Sequence, residues 1–197
     1  HFGFDTKKDI FLGVLPRGGD ASDVVWIAGP EMAMVHTFSA TDEGGVITLH
    51  AAVSDSNPFP FFPDVHGKPF NGARARTTIR KYTIDLARPQ AGWHEEVLFP
   101  EWVGALSRID DRFQGHPFRY GFLSAAHPHE AYDVDLVGPR APSNAMCRFD
   151  FQTGQVDALF AGPTMGLGEI AFAPRSPDAP EGDGWVVQVC NRLAEHR

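Results

Sequence analysis

Cysteine is scarce in this sequence: Cys147 and Cys190 are the only two in 197 residues, which leaves no disulfide framework and no cysteine-based zinc site. Both are expected to be small buried hydrophobes. Long apolar runs are missing as well, and none approaches the roughly 18 to 20 residues that a membrane-spanning helix needs. Positive charge is in deficit, with 17 Lys and Arg against 25 Asp and Glu and a formal net charge of -8. The densest basic stretch, Arg74 to Lys81, alternates with Thr and apolar residues like a strand face, so no broad basic field is offered to a nucleic acid. Short catalytic signatures are missing too. There is no HExxH helix, nucleophile elbow or dinucleotide fingerprint, and GPTMGLGE (162–169) lacks the Lys-Ser/Thr of a phosphate loop.

What the sequence has is turn formers and rings: 20 glycines, 16 prolines and 16 phenylalanines in a chain that is 43% hydrophobic. That composition favours many short strands joined by tight turns, so an all-β fold is expected. The runs VVWIAG (24–29), MAMVHTFSA (32–40) and GVITLHAAV (45–53) each close on Gly, Asp or Ser clusters and read as strands. RARTTIRKYTIDL (74–86) alternates with period two and suggests one wet face. EEVLF (95–99), the hairpin AMCRFDFQTGQVDALFAG (145–162) and WVVQVCN (185–191) add further strands. Only EWVGALSRIDDR (101–112) invites a brief helix. Recurring hairpins without a strict period fit propeller blades or a large barrel equally well. Two proline- and glycine-rich stretches, 57–72 and 174–184, read as long loops where substrate contacts are expected. A plain linker is the alternative for the first, although its four phenylalanine rings would be poorly placed in water.

Nine histidines raise the question of a metal, since neutral imidazole is a common ligand for iron, copper and zinc. His127-Pro128-His129 with Glu130 is the one tight cluster, but its proline argues for a loop. His36 sits inside an apolar strand, where an inward imidazole needs a partner or a ligand. Pattern alone favours a satisfied core histidine. His66, His94, His116 and His196 read as surface or loop residues. Glu169 opens an apolar strand after a glycine-rich turn; a solvated strand end and a carboxylate that accepts a hydrogen bond from a ligating histidine fit it equally. Asp110-Asp111 and Glu95-Glu96 are adjacent acids whose side chains diverge on a strand.

Four stretches resemble the carotenoid cleavage oxygenases. GVLPRGGDASDVVWIAGPEMAMVHTFSATDEGG (13–45) resembles the segment in which an LPR turn leads to a strand and an iron-ligating histidine, which falls on His36. Ser39 and Thr41 stand where that pattern has an asparagine and an aromatic. NPFPFFPDVHGKPF (57–70) is similar to the lignostilbene-cleaving branch and places a ring-stacking phenylalanine on Phe59. LSRIDDRFQGHPFRYG (106–121) resembles an EFPRIDxR segment, with the family's hydrogen-bonding glutamate falling on Ala105. GEIAFAPRSPDAPEGDGWVVQVCNRLAE (168–195) matches EPxFVPRSPDAPEGDGW most closely and puts a further supporting carboxylate on Glu169.

The resemblance implies part of a seven-bladed β-propeller, middle and later blades, with long loops on one face and residues 1–197 forming a piece of a single oxygenase domain. It implies Fe(II) held by four imidazoles, of which only His36 is expected here, two lying before residue 1 and one after residue 197. The implied reaction is addition of dioxygen across a carbon-carbon double bond of a stilbene or apocarotenoid, giving two carbonyl products. Expected partners are a small aromatic or isoprenoid alkene and dioxygen, with neither nucleic acid nor a transmembrane segment, and the cytoplasm is the expected compartment. A non-catalytic propeller scaffold with a relaxed iron site is the alternative. A calcium-dependent propeller hydrolase would need Asp178, Glu181 and Asp183 to converge on a cation.

Overall fold

The computed structural model describes residues 3–5, 7–137 and 143–195; His1 and His196 lie outside them. Among the described residues twelve short strands form four antiparallel sheets. Strand β1 (Ile10–Val14) pairs with β2 (Val25–Gly29). Strands β3 (Ala33–Glu43), β4 (Val46–Ser54), β5 (Thr77–Asp85) and β6 (His94–Leu98) form a four-stranded meander in chain order. A second meander follows from β7 (Val103–Ile109), β8 (Tyr120–Ala126), β9 (Ala145–Asp150) and β10 (Val156–Phe160), and β11 (Met165–Pro174) pairs with β12 (Gly184–Arg192). The sheets stay separate, each with its own edges, which is the blade arrangement of a propeller and not a closed barrel.

Turn chemistry sets the hairpins where it was expected. Gly44 and Gly45 both take positive φ between β3 and β4, and the Asp42 carboxylate accepts the Gly45 N–H at 2.8 Å, so a two-residue turn reverses the chain without a Cβ penalty. The Gln152-Thr153-Gly154-Gln155 turn joins β9 to β10 with Gly154 at φ +74°, and Asp150 accepts the N–H groups of Gln152 and Thr153.

The main core lies between the two meanders. Phe38 of β3 and Ile79 of β5 meet Ile109, Leu123, Cys147 and Phe149 of the second sheet, rimmed by Phe99, Trp102, Phe118 and Phe151. On the other face of β8, Phe122 stacks on Phe172 of β11 at 4.8 Å between centroids. Residues 121–125 are therefore buried throughout, as a strand sandwiched between sheets should be. A smaller core joins β1 and β2 to the first meander through Met32, Ala51, Val53 and Tyr82. There Trp93 lies so close to Gly29 that a Cβ would sit 1.7 Å from its ring.

Four expectations need correction. Residues 103–109 form strand β7 and not a helix; only Asp111–Phe113 make a 3-10 turn. Cys190 is exposed, because the last residues of β12, 189–192, are exposed on both faces, whereas Cys147 is buried as expected. The wet face of β5 is only half wet: Lys81, Thr83 and Asp85 are partly exposed, but Ile79 on the same face is fully buried in the main core. The long loops are not on one face. Loop 57–72 stands at the end of the sheets where β7 starts and β8 ends, whereas loop 174–184 stands at the opposite end.

That second loop is a clasp. The Arg112 guanidinium donates to the carbonyls of Pro177 (2.7 Å) and Ala179 (3.0 Å) and pairs with Asp110. The Glu181 carboxylate accepts the N–H groups of Arg119 and Tyr120 at 2.7 and 2.9 Å, and Arg175 pairs with Asp183. Glu181 and Asp183 are thus spent on protein donors, and among the described residues no group of three or more His, Cys, Asp or Glu gathers, so the calcium reading of Asp178, Glu181 and Asp183 finds no support. Asp110 is 1% exposed, and the Arg112 guanidinium holds its carboxyl below the usual range. Asp110→Ala leaves that guanidinium without its carboxylate and is expected to lower stability by about 3 kcal/mol, measured by urea denaturation; a loss under about 1 kcal/mol would show the clasp to be decorative.

A second expectation concerns acid. His50 of β4 is wedged edge-on between Phe118 (5.2 Å) and Phe151 (4.8 Å), and burial, with a smaller push from Lys81, lowers it from 6.5 to about 4. Its folded-state pKa lies below the unfolded one, so the fold is unpenalised above about pH 6.5 and loses stability as pH falls towards 4. The loss is at most about 3 kcal/mol. His50→Gln should flatten the fall in melting temperature between pH 7 and pH 4.5, and an unchanged slope would assign acid sensitivity elsewhere.

Candidate active site

Three sequence positions singled out for iron chemistry, His36, Ala105 and Glu169, lie on β3, β7 and β11. Each of these is the first strand of its sheet, and they pack side by side, β3 against β7 and β7 against β11. The ladders are interrupted at these positions. In β3 the register shifts between Met34 and His36 and again between Thr37 and Ser39. In β7 it shifts between Ala105 and Arg108, with Leu106 at φ +63°. In β11 it shifts between Leu167, paired with Cys190, and Ile170, paired with Gln188, so Glu169 stands inside the irregularity. The other pairings, β1–β2, β4–β5, β5–β6, β8–β9 and β9–β10, run in unbroken register. Bulges re-aim side chains beside active sites, and a left-handed leucine stores about 1–3 kcal/mol that regular pairing would release.

His36 is half-buried, and no hydrogen bond or ion pair engages its ring among the described residues. Its nitrogens are free for a metal, and the imidazole fits as one ligand of an iron site. Among the described residues no group of three or more His, Cys, Asp or Glu converges as a metal cage, so the remaining ligands would come from elsewhere. Ser39, three residues on, is buried and accepts the Gly115 N–H at 3.2 Å; its departure from the asparagine pattern is absorbed by packing between sheets.

Glu169 is exposed within β11, inside the strand and not at its start. What lies behind it was not foreseen. The Gly168 carbonyl accepts from the Ser124 hydroxyl at 2.7 Å and from the Gln188 amide at 2.8 Å, and that amide also contacts the Ser124 oxygen. Ser124 is fully buried on β8 directly opposite Ala105. This knot ties β8, β11 and β12 at the bulge that presents Glu169. Two buried polar atoms next to it, Ser107 Oγ in the β7 bulge and Gln188 Oε1, lack a hydrogen-bond partner among the described residues. The only sequence signal for the knot was a serine and a glutamine inside otherwise apolar strands. Gly104 is required here too, since a Cβ would lie 2.2 Å from the Ser124 carbonyl oxygen.

A cavity of about 1340 Å³ opens against β7, and of the three iron-site positions only Ala105 lines it; His36 and Glu169 are not in its wall. Ala105 lines it with Gly104 and Val103 of β7 and Ala126 of β8, and loop 57–72 covers it with Pro60 and Phe70. His127 and His129 join its wall; the His127 Nδ1 accepts the His129 N–H at 3.2 Å, and Glu101 lies 3.9 Å from His129 Nε2. Phe59 is half-buried and packs on Phe61 and Phe62 at 5.6 and 5.5 Å, one residue from the cavity wall and not in it.

The family model of the retinal pigment epithelial membrane protein matches residues 1–197, the whole chain. The chain belongs to this family, the carotenoid oxygenases. Lignostilbene-α,β-dioxygenase isozyme III of Sphingomonas paucimobilis is 34% identical over 98% of the chain, and isoeugenol monooxygenase of Pseudomonas putida is 29% identical over the same share. The chain spans 40% of the length of each of these curated relatives. The crystal structure of Pseudomonas brassicacearum lignostilbene dioxygenase superimposes with a TM-score of 0.91 at 32% identity, over 100% of this chain and 41% of that one. The sheets of this carotenoid oxygenase chain are thus blades of a β-propeller. No helix among its described residues is long and apolar enough to cross a membrane.

Proposed function

We propose that the protein containing this chain is a non-haem Fe(II) oxygenase that uses dioxygen to cleave the double bond of a stilbene-type aryl alkene into two carbonyl products. The observation that carries this reading is the coincidence of the register breaks on β3, β7 and β11 with the iron-site positions, the β7 break bordering a cavity of substrate size. The likeness to the two lignostilbene dioxygenases supports stilbenes over apocarotenoids.

In this proposal His36 gives one imidazole to the iron, and Glu169 fixes the tautomer of a ligating imidazole by accepting its outer N–H. Bound iron would supply the redox centre at which dioxygen meets the alkene. The chain's other residues build the place for the alkene: Val103, Ala105, Ala126 and Phe70 give apolar walls that exclude water. Phe59, at the rim, meets an aromatic ring of the substrate. Residues 1–197 form part of one propeller domain, and its two free thiols suit the reducing cytoplasm.

A second reading, a propeller that binds without catalysis, is favoured by one residue: Ala105 places a methyl group in the cavity where the EFPRIDxR pattern has a carboxylate. Iron per chain of the full-length protein, together with dioxygen-dependent aldehyde release from a hydroxystilbene, separates the two. Near-stoichiometric iron and aldehyde are expected. Iron-free protein would establish the scaffold.

A further inference from the structure

The cavity wall is mostly apolar, but it carries one permanent cation. Arg76, just before β5, lines it together with Ala105 and His127. Many arginines of this acidic chain face carboxylates: Arg80 pairs with Asp55 and Glu95, Arg119 with Asp150, and Arg148 with Asp157. Arg76 has no ion pair or hydrogen bond to its guanidinium among the described residues. The acid that shares the cavity, Glu101, has an imidazole neighbour instead, His129 Nε2 at 3.9 Å. Arg76 is itself exposed, so its guanidinium, with five donors and no acceptor, is available at the solvent side of a largely apolar wall to an anion that enters the cavity.

We infer that Arg76 reads a carboxylate on the substrate, so that the preferred alkene is an aryl alkene acid whose anionic end lies at the β5 side of the cavity. This rests on the cleavage reading above and adds a substrate class to it. Thr77, the next residue, is buried and pairs with Ser54 at the end of β4, so the backbone that carries Arg76 is anchored by a ladder. A guanidinium on that backbone can take a carboxylate through two parallel N–H bonds, which an ammonium cannot match in geometry. The apolar wall of Phe70, Val103 and Ala126 then takes the rings.

The test measures binding and turnover separately, on the full-length protein, with trans-4′-hydroxystilbene-4-carboxylic acid and its primary amide. Fluorescence titration of wild type should show the acid binding about 10- to 100-fold more tightly than the amide, the range expected of a charge-assisted pair. Arg76→Gln should bring the ratio close to one by weakening the acid alone, and Arg76→Lys should restore part of it. Added salt should weaken the acid and spare the amide. Equal wild-type affinities, or an Arg76→Gln loss shared by acid and amide, would overturn the inference. If the binding ratio holds while neither compound is cleaved, the anion site stands and the oxygenase reading fails.

Discussion

His36→Ala in the full-length protein is expected to abolish stable iron binding while leaving the fold in place. Removing the hydrogen-bond acceptor of a ligating histidine's outer N–H already weakens metal sites about 10- to 100-fold, so losing the ligand itself should exceed that. The substitution is mild for the sheet. His36 is half-buried, stands beside a register shift opposite Ala52, and has no hydrogen bond to forfeit among the described residues. Iron per chain after dialysis against a weak chelator is the measurement, with circular dichroism as the control. Iron retained at the wild-type level would remove His36 from the site.

Ala105→Glu should act in the opposite direction. The residue lines the cavity on β7, its neighbour Gly104 leaves the backbone against Ser124, and the cavity beyond has room for a carboxylate. Such a carboxylate, accepting the outer N–H of a ligating histidine, is expected to tighten iron retention by about 10- to 100-fold. Ala105→Gln, which has a similar shape without the charge, should give less. The readout is the rate of iron loss to a chelator, independent of turnover. Faster loss than wild type would show that Glu101, already in the cavity, makes a second acid unwelcome. Unchanged loss would mean that β7 does not direct this position at a ligand.

The strands were legible because their alternation is local. Val25–Gly29, Val46–Ser54 and Ala145–Asp150 each carry their own pattern and their own turn. Residues 101–112 misled for a physical reason. The bulge after Ala105 adds a residue to one strand, so Val103, Leu106 and Ile109 recur every third position, which imitates a helical stripe. Cys190 misled because the end of β12 is exposed on both faces, and nothing in WVVQVCN says so. Of the candidate site, His36 and Glu169 were singled out through motifs, and each stands beside a register break on the first strand of its sheet. The rest was not, because the cavity gathers Phe70, Arg76, Ala105 and His127 from distant segments, and the Ser124–Gln188 knot is built from residues 64 apart. Pairings of that range are set by topology, which a single sequence does not display.

The clasp around Arg112 separates what is recognisable in this chain from what is reactive. PRSPDAPEGDG, the stretch with the sharpest signature, fastens the far end of the second sheet through Arg112 and Glu181. A chain that carries this signature carries the means to fix that end of the blade. The cavity end, where Arg76 and Ala105 sit, is free to diversify on top of it, and substrate preference can drift between relatives without a trace in the stretch that groups them.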